Sequence, residues 1–485
     1  MTRPNLLFIM TDDQACWTLG SMGYSDACTP VLDKLAEDGA LFHNLLANAA
    51  ICSPSRACLL TGLYPTQAGF GPDGEVWLAD EKRHVDPCMP SWPRCLREHG
   101  YRSALLGKWH RGHEEEAQGP TQNGYERFCG WLKGPGVSRD PEVMIDGEGR
   151  RFPGQYTSDV LADLTMDTIR EWKDEPFAIS MHFWAPHANV AFPAGYTLPY
   201  EARDRHGKPN RSWLPMKEDD LAPWQATEPD VPYPDFPNQD HAYIRRMMRE
   251  YLASVHSVDR NVGRVLQTLA ELGLAEDTIV IFTSDQGYNM GHHGIWHKGN
   301  GWWTTVDGRD PAGVYTRMSE RGIVKRENLY DTSLRVPGIV RWPARIRPGM
   351  VISQPVSFID WFPTVLEMIG AAAPAGVDLQ GRSVLGLLAN PQAPFPARPH
   401  FAQHHRLRCI RTSRWKYILS GIDGEPDELY DLARDPSEHV NLVAHTDRAD
   451  VKQACADLRR SLLEQMQAIG DPLFEDLRQA TSAKD

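Results

Sequence analysis

Long apolar runs, cysteine pairs at metal-binding spacing and repeated segments are all missing from this 485-residue sequence. No run approaches the roughly 20 apolar residues that a membrane-spanning helix needs, which argues against a membrane protein. The nine cysteines are scattered, without a Cys-x-x-Cys spacing, so neither a disulfide framework nor a zinc knuckle is indicated. Residues 1–4 lead directly into an apolar run, without the features of a secretory leader. These absences predict a cytoplasmic protein with reduced thiols and no membrane association.

Positive charge is also in deficit, because 51 lysine and arginine residues face 64 aspartate and glutamate residues, a net charge of −13. An acidic chain of this kind disfavours non-specific binding to nucleic acid, and we expect no such partner. A site for an anion must then be a local cluster of basic groups. The length of 485 residues favours two domains over one.

Apolar runs and helical patterns alternate along most of the chain. Runs typical of strands buried on both faces of a parallel sheet cover 5–10, 103–106, 176–183 and 278–282. Amphipathic patterns predict helices over 30–38, 91–99, 157–173 and 241–272. The alternation predicts an α/β fold, with a large mixed, mostly parallel sheet flanked by helices on both faces.

Polar residues directly follow two of these strands. Asp12 and Asp13 come after the first strand, and Asp285 and Gln286 come after the fourth. Open α/β sheets bind ligands at the carboxyl ends of their strands, and clustered oxygen atoms suit a hard divalent cation. We therefore expect Ca²⁺ here, with Mg²⁺ or Mn²⁺ as alternatives, although a solvated turn would also explain such a pair.

The stretch from Cys52 to Gly62 reads Cys-Ser-Pro-Ser-Arg-Ala-Cys-Leu-Leu-Thr-Gly. Pro54 suits the first turn of a helix, so Cys52 would lie at a helix N-terminus, with Arg56 one turn along on the same face. That setting suits a nucleophile that acts on an anion. The alternative is a reduced cysteine packed in a core, as most free cysteines are.

The same stretch resembles the signature of the type I sulfatases, the formylglycine-dependent enzymes of the alkaline phosphatase superfamily. Cys58 does not fit, because a leucine and not a proline stands two residues after it. In that family a maturation enzyme oxidises the cysteine to formylglycine, whose hydrated aldehyde is the nucleophile. The resemblance implies that Cys52 is this residue and contacts the metal, with Arg56 as its partner. It implies that calcium is bound by Asp12, Asp13, Asp285 and Gln286.

Four more basic residues match the family. Lys108 and His110 lie in Gly-Lys-Trp-His, His187 lies in Pro-His, and Lys298 ends a His-Gly-x-x-x-Lys segment. The resemblance implies that Lys108 contacts formylglycine and sulfate and that His110 acts as a base on the aldehyde hydrate. It implies that His187 helps to bind sulfate and to protonate the leaving oxygen, and that Lys298 bonds sulfate and assists the leaving group. On the residues alone, Lys108 and His110 could be solvated, and the histidines of 292–297 could suggest zinc.

A Gly-rich insertion over 299–322 follows the lysine. After it, residues 330–337 resemble the tyrosine–acid and arginine element of the family, with Asp331 in the acidic place. The aromatic and basic residues of the insertion could recognise substrate as a lid, or they could belong to a plain surface loop. They are Trp302, Trp303, Arg309, Tyr315 and Arg317.

The texture of the chain changes after 371–377, which is rich in proline, alanine and glycine. Before it, residues 356–369 resemble the helix that closes the large domain of the family. After it, 408–419 predicts a strand, 428–432 resembles the C-terminal Leu-Tyr-Asp-Leu hairpin, and 451–469 predicts a helix. We therefore predict a catalytic domain over 1–375 and a C-terminal α+β subdomain over 376–485.

The resemblance implies a sulfuric ester hydrolase that cleaves a small anionic sulfate monoester, of a sugar, aryl or alkyl alcohol, to the alcohol and inorganic sulfate. The metal and basic side chains would neutralise charge while a hydroxyl of residue 52 attacks sulfur. A phosphonate monoester or phosphodiester hydrolase of the same superfamily is the alternative, because those enzymes also resemble the chain at Cys-x-Pro-x-Arg. A binding protein for sulfated glycans is a second alternative, which the intact nucleophile, metal and proton-transfer positions disfavour.

Overall fold

The computed structural model describes residues 3–24, 27–71, 89–110, 119–133, 136–193, 195–199, 212–224, 236, 238–304, 317–318, 324–396, 398–422, 424–445 and 447–482. No helix in these ranges is both long enough and apolar enough to cross a membrane. The predicted insertion residues Arg309 and Tyr315 lie outside them.

The strands are numbered in chain order. They are β1 (Asn5–Thr11), β2 (Ala40–Phe42), β3 (Leu45–Leu46), β4 (Arg102–Lys108), β5 (Arg127–Trp131), β6 (Glu142–Ile145), β7 (Glu148–Arg151), β8 (Phe177–His182), β9 (Thr278–Ser284), β10 (Ile295–Trp296), β11 (Asn300–Trp303), β12 (Arg317–Met318), β13 (Val324–Glu327), β14 (Arg335–Val336), β15 (Gly338–Arg341), β16 (Met350–Ile352), β17 (Val356–Ser357), β18 (His400–His404), β19 (Leu407–Arg411), β20 (Trp415–Ser420) and β21 (Glu428–Asp431).

The α-helices are numbered in the same way. They are α1 (Pro30–Glu37), α2 (Cys52–Thr61), α3 (Trp92–Glu98), α4 (Thr157–Trp172), α5 (Glu218–Leu221), α6 (His241–Glu271), α7 (Asp331–Leu334), α8 (Trp361–Ile369), α9 (Leu385–Ala389), α10 (Ala449–Ala468) and α11 (Phe474–Ser482).

A ten-stranded mixed sheet is the centre of the fold, in the order β16-β2-β15-β9-β1-β8-β4-β5-β6-β7. Its middle strands, from β9 to β5, are all parallel, and the antiparallel pairs lie toward the two edges. Every residue of β1, β8 and β9 is buried, which explains why these strands read as unbroken apolar runs.

Helices cover both faces of this sheet, as the sequence predicts. Alternate residues of a strand point to opposite faces, and in β1 Phe8 joins one hydrophobic cluster while Leu7 joins the other. The first cluster packs against α3, α8 and α9, and the second against α1, α4 and α6. The α/β fold class is therefore confirmed.

The C-terminal part forms a separate four-stranded antiparallel sheet, in the order β18-β19-β20-β21. Helix α10 packs on it through Leu458, Leu462 and Met466, which lie in one apolar cluster with Phe401 and Tyr417 of the sheet. An α+β C-terminal region is thus present, and the boundary at 375/376 stays a prediction.

Two predicted elements are wrong in detail. Residues 408–419 were expected to form one strand, but they form β19 and β20, antiparallel neighbours joined by a turn at 412–414. Residues 356–369 were expected to form one helix, but 356–357 pair with β3, and α8 begins only at Trp361. The side chain of Ser357 and that of Asp360 exchange hydrogen bonds with each other's backbone N–H, which ends the strand and starts the helical turns.

Candidate active site

Four neighbouring strands in the middle of the large sheet, in the order β9, β1, β8 and β4, are parallel, so their carboxyl ends lie on the same side of it. β1 and β9 pair with Thr11 opposite Ser284, so the polar residues that follow the two strands start level with each other. Strand β8 leads to His187, and β4 ends at Lys108. The parallel strand order therefore brings together carboxylates and basic groups that lie far apart in the sequence.

Cys52 is the first residue of α2 and is buried beside these strand ends. Its N-terminal position follows from the sequence, because Ile51 before it is extended and Pro54 fits the first turn. The hydroxyl of Ser55 donates a hydrogen bond to the backbone carbonyl of Asp285, which ties the start of α2 to the end of β9. The Sγ atom of Cys52 lies 3.4 Å from Oδ1 of Asp12.

Arg56 lies one turn further along α2 and is buried. Its Nε donates to Oδ2 of Asp285 at 2.8 Å, and one terminal nitrogen donates to Oδ2 of Asp12 at 3.3 Å. The other terminal nitrogen donates to the backbone carbonyl of Lys108 at 3.0 Å. Arg56 thus connects the ends of β9, β1 and β4, and all three of its nitrogens already have acceptors.

Two lysines flank the sulfur of Cys52. The Nζ atom of Lys298 lies 2.8 Å from Sγ and 2.5 Å from Oδ1 of Asp13. The Nζ atom of Lys108 lies 3.9 Å from Sγ and is paired with the carboxylate of Asp12. Residue 52 is therefore held between two ammonium groups, a setting that favours an anion bound next to it.

Candidate ligand atoms of Asp12, Asp13, Cys52 and Asp285 all lie within 4.8 Å of one another. Oδ2 of Asp13 in this group and Oε1 of Gln286, whose amide contacts Asp13, are buried and have no hydrogen-bond partner among the described residues. Gln286 turns its amide nitrogen to Asp13, and a half-turn of the amide would exchange that nitrogen for the oxygen. Carboxylate and amide oxygens without partners fit a hard cation such as Ca²⁺.

The pKa values of these carboxylates show how crowded the site is. Burial raises the pKa of Asp13 to about 7, opposed by Lys298 and reinforced by Asp12 and Asp285. Burial and the charge of Asp12 also raise the pKa of Asp285. Burial acts in the same direction on Asp12, but Lys108 and the other cations around it hold that pKa well below its usual range. A divalent cation among the three carboxylates would offset their repulsion.

His110 follows β4 in a left-handed backbone conformation, with a φ of 54°. Its backbone N–H donates to the carbonyl of Leu132 at 2.7 Å, and its buried Nδ1 has no partner among the described residues. Burial, reinforced by the charge of Lys108, holds the pKa of His110 well below its usual range. The imidazole is therefore neutral and able to accept a proton.

His187 follows β8, and its Nδ1 lies 2.6 Å from the backbone carbonyl of Ala188. This contact directs Nε2 toward the carboxylates, 3.7 Å from Oδ2 of Asp13. Burial keeps the pKa of His187 well below its usual range. The ring contacts that of Trp184 at a tilt of 41°, with centroids 4.3 Å apart.

Trp184 is a site residue that the sequence did not single out. One face of its ring contacts His187, and the ammonium of Lys108 lies 4.7 Å from the ring centroid. Cation–aromatic contacts of this kind hold a lysine in place. Its position two residues before the Pro-His pair was the available signal.

Asp331, which matches the acidic place of the family element, lies in a buried ion cluster. Its carboxylate pairs with Arg411 at 2.8 Å and with Lys416 at 2.9 Å, both on the C-terminal sheet. Lys416 also pairs with Glu438 at 2.6 Å. Asp331 thus joins the two parts of the fold.

Of the insertion, Trp303 is buried on β11, and the ring of Trp302 stacks on that of His297 at 5.3 Å.

A family model described as Sulfatase matches residues 4–371 of the chain. A second, described as N-sulphoglucosamine sulphohydrolase, C-terminal, matches residues 319–468. The N-acetylglucosamine-6-O-sulfatase of Bacteroides thetaiotaomicron is 28% identical, over 92% of this chain and 84% of that protein. The steryl-sulfatase of Mus musculus is 27% identical, over 95% of this chain and 82% of that protein.

Solved structures show the same fold. One, of a protein bound to its substrate D-glucosamine-2-N,6-O-disulfate, superposes with a TM-score of 0.72 at 25% identity, over 97% of this chain and 99% of that chain. The phosphonate monoester hydrolase of Agrobacterium radiobacter superposes with a TM-score of 0.63 at 23% identity, over 96% of each chain. The second likeness concerns the fold alone.

Proposed function

The chain belongs to the sulfatase family and hydrolyses sulfate esters, and we propose that it does so with residue 52 as formylglycine and with a divalent cation beside it. The observation that supports this most directly is the position of Cys52, at a helix N-terminus between two ammonium groups and next to three carboxylates. When a sulfate group lies next to a nucleophile in that position, both lysines can neutralise its negative charge.

The unmodified thiol is poorly suited to this task. Burial, reinforced by the charge of Asp12, raises the pKa of Cys52 to about 12, so the sulfur keeps its proton near neutral pH. A protonated thiol is a weak nucleophile. The hydrate of formylglycine would instead supply two hydroxyls on one carbon. One would attack sulfur, and ionisation of the other would release sulfate.

The cation would be held by the carboxylates of Asp12, Asp13 and Asp285, by the amide oxygen of Gln286 and by residue 52. Ca²⁺ suits these hard oxygen ligands best, and Mg²⁺ or Mn²⁺ are alternatives. When bound, the cation supplies Lewis-acid activation of the nucleophilic oxygen and of the sulfate.

The basic residues then have separate roles. Lys108 and Lys298 bind the sulfate oxygens, because their ammonium groups already flank residue 52. Burial lowers the pKa of Lys298 less than Asp13 and Cys52 raise it, so its pKa lies above the ordinary value and it stays charged. Arg56 holds the carboxylates of Asp12 and Asp285 in place, because its nitrogens are engaged there.

Two neutral imidazoles, those of His110 and His187, transfer protons in the reaction. His187 directs Nε2 into the site, where it binds sulfate and passes to the leaving oxygen the proton that the attacking hydroxyl of residue 52 gives up. Lys298 is a second donor for that oxygen. His110, whose Nδ1 has no partner in the part of the chain that the structure describes, accepts the proton whose loss lets sulfate depart.

We propose a sulfated sugar as the substrate. The N-acetylglucosamine-6-O-sulfatase relative and the neighbour bound to a glucosamine disulfate both support a carbohydrate alcohol. The match of residues 319–468 to an N-sulphoglucosamine sulphohydrolase C-terminal model supports it for that part of the chain. Maturation of residue 52 would require a separate formylglycine-generating enzyme.

A paired rate comparison tests the proposal. Purified enzyme receives an aryl sulfate, an aryl phosphonate monoester and a phosphate diester with one common leaving group, and Cys52→Ala serves as the control. We expect kcat/KM for the sulfate to exceed the others by orders of magnitude and to vanish in the variant. A higher kcat/KM for the phosphonate or the diester would instead assign the site to hydrolysis of that substrate class. Glucosamine 6-O-sulfate against cholesterol sulfate then tests the sugar assignment.

A further inference from the structure

The carboxylate of Asp13 depends on an unusual backbone conformation. Asp13 has a φ of 67°, in the left-handed region that non-glycine residues adopt only at a cost in free energy. This turn directs the side chain toward Lys298 and Gln286, whereas Asp12, one residue earlier, points to Lys108. Two adjacent carboxylates reach one site only while this turn is maintained.

A tyrosine of the long helix α6 holds the turn. The hydroxyl of Tyr251 donates to the backbone carbonyl of Asp13 at 2.6 Å and accepts from the backbone N–H of Ala15 at 2.9 Å. Tyr251, Asp13 and Ala15 are all buried, so these backbone groups are shielded from bulk water. One hydroxyl therefore satisfies groups on both sides of Gln14, across the strained turn.

The ring of Tyr251 is itself fixed by aromatic neighbours. It stacks on Tyr288 with centroids 5.4 Å apart and an interplanar angle of 24°. Trp17 and Trp213 each lie with their ring centroids 5.6 Å from that of Tyr251. Because these rings confine it, the hydroxyl is held at a defined position relative to the end of β1.

We infer that Tyr251 is a positioning residue for the cation site, and that its hydroxyl keeps the carboxylate of Asp13 oriented for binding. The inference rests on the proposed cation site. Loss of the hydroxyl would leave the Asp13 carbonyl and the Ala15 N–H without a buried partner, so the turn would relax and the ligand would move. Groups that orient a metal ligand in this way typically contribute 10- to 100-fold to metal affinity.

The matched experiment compares two buried tyrosine hydroxyls. Tyr251→Phe removes the bond to Asp13, while Tyr417→Phe removes a hydroxyl that donates to Asp427 at 2.7 Å on the C-terminal sheet. Full-length protein is stripped of metal with EDTA, and Ca²⁺ binding is measured by isothermal titration calorimetry. Melting temperatures in EDTA report the structural cost of each change, and Asp13→Asn reports whether the site binds the ion.

We expect Tyr251→Phe to weaken Ca²⁺ binding about 10- to 100-fold while Tyr417→Phe leaves the Kd unchanged. Activity of Tyr251→Phe should return when Ca²⁺ is raised above the new Kd. An unchanged Kd in Tyr251→Phe, with a weakened Kd in Asp13→Asn, would overturn the inference and leave the cation site intact. Equal weakening in both tyrosine variants would also overturn it. An unchanged Kd in Asp13→Asn would overturn the cation site itself.

Discussion

Arg56 and Asp285 form a fully buried ion pair, with Nε of the guanidinium 2.8 Å from Oδ2 of the carboxylate. The pair crosses from the helix that carries residue 52 to the end of β9. It therefore fixes the proposed nucleophile relative to the strand end that carries two of the five proposed cation ligands, Asp285 and Gln286. Its replacement should affect stability as well as activity.

Arg56→Ala should lower the free energy of unfolding by about 3–5 kcal/mol, because it leaves buried carboxylates without their partner. Urea titration followed by circular dichroism measures the change. Arg102→Ala is the control, since Arg102 pairs with Glu126 and Glu175 at a partly exposed site and should cost about 1 kcal/mol or less. Equal costs in the two variants would contradict the role of Arg56.

Residue 52 should be lighter than cysteine by about 18 Da in active enzyme, the difference between cysteine and formylglycine. Fragment mass spectrometry of the peptide that contains both cysteines of α2 locates the change. Cys58 is the internal control and should keep the mass of cysteine, because it lacks the motif. Active enzyme with an unmodified Cys52 would refute formylglycine chemistry.

His110→Ala should separate cleavage from product release. Without the neutral imidazole that accepts a proton, turnover after the first cycle should slow by about 10²–10⁴-fold, while the first molecule of alcohol still appears. Rapid-quench kinetics with an aryl sulfate would show a burst of one alcohol per enzyme. His99→Ala, on the far end of α3, should behave as wild type. A variant without a burst, with chemistry itself slowed, would contradict the assignment of His110.

In the metal-free protein, the contribution of Asp13 to stability should fall between about pH 4 and pH 7. The folded pKa of Asp13 is raised from 3.8 to about 7, so the folded state binds more protons than the unfolded state in this window. The stabilising contribution is complete below pH 3.8 and is lost as the pH rises through 7. Asp285 shifts in the same direction.

Urea unfolding in EDTA at pH 5 and pH 7.5 measures this loss, and the same titrations in Ca²⁺ should show much less of it. Asp13→Asn removes the titrating group, so the stability of the wild type relative to this variant should fall from pH 5 to pH 7.5. A rise in that difference over the same interval would contradict the expected sign.

Most of the site could be predicted because its residues follow recognisable strands. Asp12, Asp285 and Lys108 each come at the end of a continuous apolar run, and the parallel strand order then forces them together. Cys52 and Arg56 could be placed because a proline fixes the start of their helix. The positions of strand ends and helix starts can thus be read from the sequence itself.

The remaining features depend on contacts between distant segments. Asp331 pairs with Arg411 and Lys416 of the C-terminal sheet, contacts that its neighbours in sequence do not indicate. In the sequence, Tyr251 fits the apolar periodicity of the long helix. That periodicity shows that the ring is buried, but it does not show whether the hydroxyl has a partner. The turn at 412–414 carries no glycine or proline that would have marked it.

The contact between Lys298 and Cys52 would set a time limit on the proposed maturation of residue 52. The two residues are 246 positions apart, so the lysine that closes over residue 52 is synthesised long after it. At about 5–20 residues per second, the ribosome needs roughly 10–50 s to cover that distance. During this interval residue 52 has neither Lys298 nor the end of β9 above it. A maturing enzyme that works on the nascent chain has that interval in which to reach the cysteine, and folding of the completed chain ends it.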